Sequence, residues 1–181
     1  MSFRSLVTQI VLALVASTAV MVSSHAQENR GPATAQERER VMTLATLAEK
    51  DPMAFMSSTD ARWFQKWTEE VPDYSFGPDK GAFWFFLKTN KSELGRLIRF
   101  YHDLYSASFQ VKNQILDAEK NPNDLEAKTL AGVEGLLRMY EAVLAKRPEL
   151  RNAEIDRVID LRNKGELAAF VKQLPPMPKR P

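Results

Sequence analysis

Few side chains in this chain could do chemistry, and their spacing matters more than their number. His102 is the single histidine outside the N-terminal stretch, next to Asp103, and the sequence offers it no recognisable nucleophile motif. On that reading it is a surface or boundary residue. Glu69, Glu70, Asp73 and Asp79 flank the segment VPDYSFGPDKG and could pair as acid and base in sugar hydrolysis, although capping and solubility account for them as well. Cysteine is absent and one histidine cannot build a multi-histidine site, so neither a metal centre nor a cofactor is expected, and no catalytic residue is assigned.

Binding chemistry is better represented. Lys112 falls among Tyr101, Tyr105, Ser108, Ile115 and Leu116 on a helical projection, near the middle of an apolar face. Its ammonium must snorkel to water, pair with a carboxylate, or anchor an anionic ligand in an apolar cleft with Tyr101 and Tyr105 as donors. All but Phe3, Tyr140 and Phe170 of the aromatic residues lie between Phe55 and Phe109. Most of them are expected to form one core. Trp84, in a run of four aromatics, and the loop residues Tyr74 and Phe76 exceed what one helical face can bury and form a candidate docking surface.

These residues must be held by helices. Thr34 and Glu37 have the capping-box spacing that opens a helix reaching about Lys50, and Ser58 or Thr59 opens another through Trp63, Phe64 and Trp67 to Glu70. AFWFFLK predicts a short helix within 79–88, with a buried strand as the alternative. From Ser92 to Lys120, apolar residues recur every three or four positions over about half the circumference, the pattern of a central bundle helix. NPND at 121–124 predicts a tight turn, followed by helices over about 124–146 and 152–163 and a last one carrying Leu167, Phe170 and Val171. Gly165 suits a left-handed cap, while Gly132 and Gly135 imply close helix packing. AEKDP at 48–52 recurs as AEKNP at 118–122, but nothing matches at the midpoint, so a tetratricopeptide-like array is a minor alternative.

The fold class is therefore all-α: an irregular bundle of five to seven helices around a long helix over 92–120. Residues 1–26 read as a signal peptide cleaved after Ala26, with Arg4, an apolar stretch and small residues Ser24 and Ala26. Residues 27–33 then form a flexible arm, 34–174 a single domain and 175–181 a Pro-rich tail. This predicts a periplasmic or secreted protein with no membrane anchor after cleavage. The 25 basic and 23 acidic residues leave a near-neutral surface that does not suit nucleic acid. Two functions follow: an exported helical module that binds a protein or peptide partner, or a carrier of an apolar or anionic amphiphile with a cleft near Lys112.

Overall fold

The computed structural model describes residues 30–76 and 92–175. The chain divides into two compact units, residues 1–32 and Ala33–Pro181, and every element below belongs to the second. Among the described residues all regular elements are helical: α1 (Ala35–Ala48), α2 (Pro52–Met56), α3 (Thr59–Glu70), α4 (Glu93–Lys112), α5 (Pro122–Leu144), α6 (Ala153–Asn163) and α7 (Leu167–Gln173). Short 3-10 turns occupy Ala118–Lys120 and Pro148–Leu150. None of these helices is long and apolar enough to cross a membrane.

Each start has a local chemical cause. Thr34 and Glu37 form the reciprocal capping box, Glu37 N–H donating to Thr34 Oγ1 and Thr34 N–H to Glu37 Oε2. Asp51, Ser58, Ser92, Asn121 and Asn152 cap α2 to α6 through their side-chain oxygens. The two AEK(D/N)P pentapeptides thus serve the same local purpose, a capping side chain followed by proline in the first turn of a helix.

α4 is the centre of the bundle. Leu97, Ile98, Tyr101, Leu104 and Tyr105 are buried along it, and so are Phe100, Ala107 and Gln110 on neighbouring faces. α5 runs antiparallel to it, placing Arg147 against Glu93, and two glycines let the helices approach closely. A Cβ on Gly132 would lie 2.6 Å from His102 Nε2 and collide with Ser106 Oγ, while one on Gly135 would enter the Tyr105 ring. The expected role of both glycines in close packing is what the structure shows.

The central helix is shorter than its sequence pattern suggests. It ends at Lys112, and residues 113–117 form a non-helical connection, because Gln114 N–H donates to the Val111 carbonyl and Ile115 N–H to the Gln110 carbonyl. This pair of bonds closes a Schellman motif with Gln114 in the left-handed region, φ 56°. Asn113 reinforces the stop by donating its side-chain amide to the Phe109 carbonyl, 2.8 Å. Gly165 forms the equivalent motif after α6 with φ 76°. Ala33, assigned to the arm by its sequence, is buried and donates its N–H to Asp73 Oδ1. The helix expected over 79–88, including Trp84, lies outside the described residues.

Candidate functional site

The early end of α4 creates a groove among the described residues. Beyond Lys112 the chain turns away and meets the segment that follows α3, where Ser75 N–H donates to the Leu116 carbonyl at 2.7 Å and Ser75 forms an isolated parallel bridge with Asp117. Gln110, fully buried, holds this junction from below: its Nε2 donates to both the Ser75 and Ile115 carbonyls, each at 3.1 Å. A buried amide that donates to two carbonyls is costly to replace.

Above the junction lies an open groove of about 580 Å³. Arg38, Glu39 and Met42 line it from α1, Asp73 and Tyr74 from the extended segment, and Val111, Lys112 and Leu116 from the end of α4 and its connection. Its volume falls within the range of small-ligand and peptide sites. Met42 and Leu116 are 37% and 52% exposed, so two of the three exposed large apolar side chains among the described residues share this groove.

Tyr74 forms its rigid wall. The ring is buried, stacks nearly parallel on Phe76 and packs against Trp67, and that burial raises the phenol's pKa and keeps it a proton donor at neutral pH. The Arg38 guanidinium opposes the shift electrostatically without overcoming it. Arg38 is itself oriented by donating to the Ala33 carbonyl, and Asp73 is turned towards the Ala33 N–H at 2.8 Å.

Several candidate residues stand elsewhere than their sequence positions suggest. Lys112 is exposed at the last turn of α4, because the face that would have buried it ends there. Tyr101 and Tyr105 are buried and do not reach it; Tyr101 Oη donates to the Pro52 carbonyl at 2.8 Å and Tyr105 Oη to Glu49 Oε1 at 3.0 Å. Arg138 completes that second contact, donating to the same Glu49 oxygen with its guanidinium 5.1 Å from the Tyr105 ring centre. Burial pushes both phenols well above the ordinary tyrosine range. Of the aromatic docking set, Tyr74 is buried save for the edge it gives the groove, and Phe76 is half-buried against Trp67.

His102 is fully buried rather than superficial, facing the α5 backbone at Gly132. Ser106 Oγ and Asp103 Oδ1 both lie 3.5 Å from its Nδ1. A nucleophile and an orienting carboxylate must address opposite ring nitrogens, so this is not a catalytic triad. Lys128 and Thr129, also buried, sit on α5 one turn before Gly132 and Val133. Their four-residue offset from those inward positions is the sequence signal of their burial, and the apolar residues around them obscure it. Among the described residues no three His, Asp or Glu side chains are grouped as a metal site requires.

Comparison with protein-family models, curated proteins and solved structures finds no match to this chain. The reading of function therefore rests on the groove.

Proposed function

We propose that the protein is an exported helical binding module without a catalytic role, and that the groove between α1, the 73–76 segment and the end of α4 is its contact site. The observation that carries this reading is the concentration of exposed Met42 and Leu116 in one rigid-walled depression. Exposed apolar side chains gathered in a depression, with polar groups at its rim, are a common mark of a binding surface. The sealed surroundings of His102 argue against chemistry there. Export rests on residues 1–26, and a mature N-terminus at Gln27 is the expected result of N-terminal sequencing.

Lys112 beside apolar lining favours a second reading, a carrier of an anionic amphiphile. The groove is open, however, and Tyr101 and Tyr105 are engaged elsewhere, so the described residues form no enclosed chamber around the cation. Native mass spectrometry of protein purified from its own source tests the main reading. Wild type should retain a bound species that Met42→Asp and Leu116→Asp each lose, while their circular dichroism stays unchanged. Equal retention by the variants, or a wild type that carries nothing, would remove its basis.

A further inference from the structure

The polar groups of the groove are specific enough to select an occupant. Some surface cations are paired, Arg40 with Asp60, Lys146 with Asp51, and Arg162 with Glu141, at 2.6 to 2.7 Å. Arg38 and Lys112 face the same depression, and among the described residues neither has a carboxylate within ion-pair distance. The carboxylate on the same wall, Asp73, is occupied by a backbone N–H. Arg38 is fixed by the Ala33 carbonyl through one nitrogen, which leaves the rest of its donor fork available. Tyr74 adds a hydroxyl donor on a ring that cannot swing, because Phe76 and Trp67 hold it.

We propose that this groove captures the C-terminal end of a peptide, its free carboxylate held by Arg38, Lys112 and the Tyr74 hydroxyl and its last apolar side chains resting on Met42 and Leu116. The inference rests on the groove being the contact site and adds to it the chemistry of the occupant. A peptide end fits better than a fatty chain for two reasons. An open groove covers only one side of an alkyl chain, whereas a peptide can keep its backbone groups hydrated on the other. Glu39, exposed on the rim, can accept from a backbone N–H of an incoming chain, a donor that a fatty chain lacks. Charge-assisted bonds to a carboxylate are about twice as strong as neutral ones, so the terminus supplies selectivity.

The test is a titration of the ¹⁵N-labelled protein, followed by amide chemical shifts, with three probes. These are an N-acetylated alanine–leucine–phenylalanine–leucine tetrapeptide with a free carboxylate, the same peptide as its carboxamide, and dodecanoate. The acid should move the amides of Met42, Tyr74 and Leu116 and bind at least about tenfold more tightly than the amide. Lys112→Gln, at an exposed helix end, should lower affinity for the acid about tenfold and leave that for the carboxamide unchanged. Arg38→Gln should do the same. Equal affinity for acid and amide at these residues would overturn the carboxylate assignment while leaving the groove as the contact site. Dodecanoate binding there without either peptide would overturn the peptide assignment in favour of an amphiphile. Absence of any shift with the acid would overturn the proposal outright; the contact-site reading is then decided separately by retention in Met42→Asp and Leu116→Asp.

Discussion

At the scale of single residues, fit and protonation make the sharpest claims. A Cβ at position 135 would collide with Cβ and the ring of Tyr105, whose hydroxyl is tied to Glu49 and cannot yield freely. Overpacking of this kind costs about 1–3 kcal/mol, and the better helix propensity of alanine returns at most about 1. Gly135→Ala should therefore lower the urea midpoint; a variant as stable as wild type would show that the α4–α5 contact is looser than its geometry. Tyr101 and Tyr105 carry folded-state pKa values raised chiefly by burial, so the native state holds their protons more tightly than the unfolded chain. Their contribution is complete below the ordinary tyrosine pKa of about 10 and is lost as pH climbs above it. Thermal melts should show stability falling more steeply above pH 10 in wild type than in Tyr101→Phe or Tyr105→Phe. Parallel pH profiles would refute the assignment. The positions of these two phenols were legible in the helical pattern. Their partners were not, because Pro52 and Glu49 lie about fifty residues away in sequence and are brought together only by packing.

At the scale of elements, helix starts could be read and one decisive helix end could not. Thr34, Ser58, Ser92 and Asn152 announce their helices with side chains that satisfy first-turn N–H groups, a chemistry visible in the residue letters. Gly165 announces the end of α6 in the same way, since glycine occupies the left-handed region without penalty. Gln114 performs the identical turn with a residue that does not advertise it, and the apolar periodicity continues through Ile115 and Leu116. Periodicity therefore extended α4 by eight residues, hid the groove and placed Lys112 inside a face that does not exist there. The sequence marks Lys112 and Tyr74 as candidate binding residues and sets Leu116 beside Lys112, but nothing in it points to Arg38 and Met42, because only the stop at Lys112 brings them to the same groove. A left-handed non-glycine residue is strained by about 1 kcal/mol or slightly more. Gln114→Gly should hence raise stability by up to about 1 kcal/mol, partly offset by the added freedom of the unfolded chain. Loss of stability in that variant would contradict the motif. Gln110→Leu should act oppositely, removing a buried donor that two carbonyls share, with an expected loss of about 1–3 kcal/mol and faster hydrogen exchange at the Ser75 amide.

At the scale of the whole molecule, the all-helical class followed from composition and period, whereas the proposed contact surface depends on where the helices stop. Among the described residues the core absorbs Phe55, Phe64, Trp67, Tyr74 and Phe100, so these aromatics serve packing, while Phe83, Trp84, Phe85 and Phe86 lie outside the described residues. Two of the three exposed large apolar side chains among the described residues, Met42 and Leu116, share a groove with Arg38 and Lys112, and that pair carries the account. The most direct test is oxidative footprinting of methionines, comparing the protein in its native source with the purified chain. Met42 is exposed, while Met53 and Met56 pack partly against the core and serve as internal references. An occupied groove predicts that Met42 oxidation in the native source falls several-fold below that of the purified chain, with Met53 and Met56 unchanged. Equal oxidation of Met42 in both settings would contradict the claim that this groove is where the protein works.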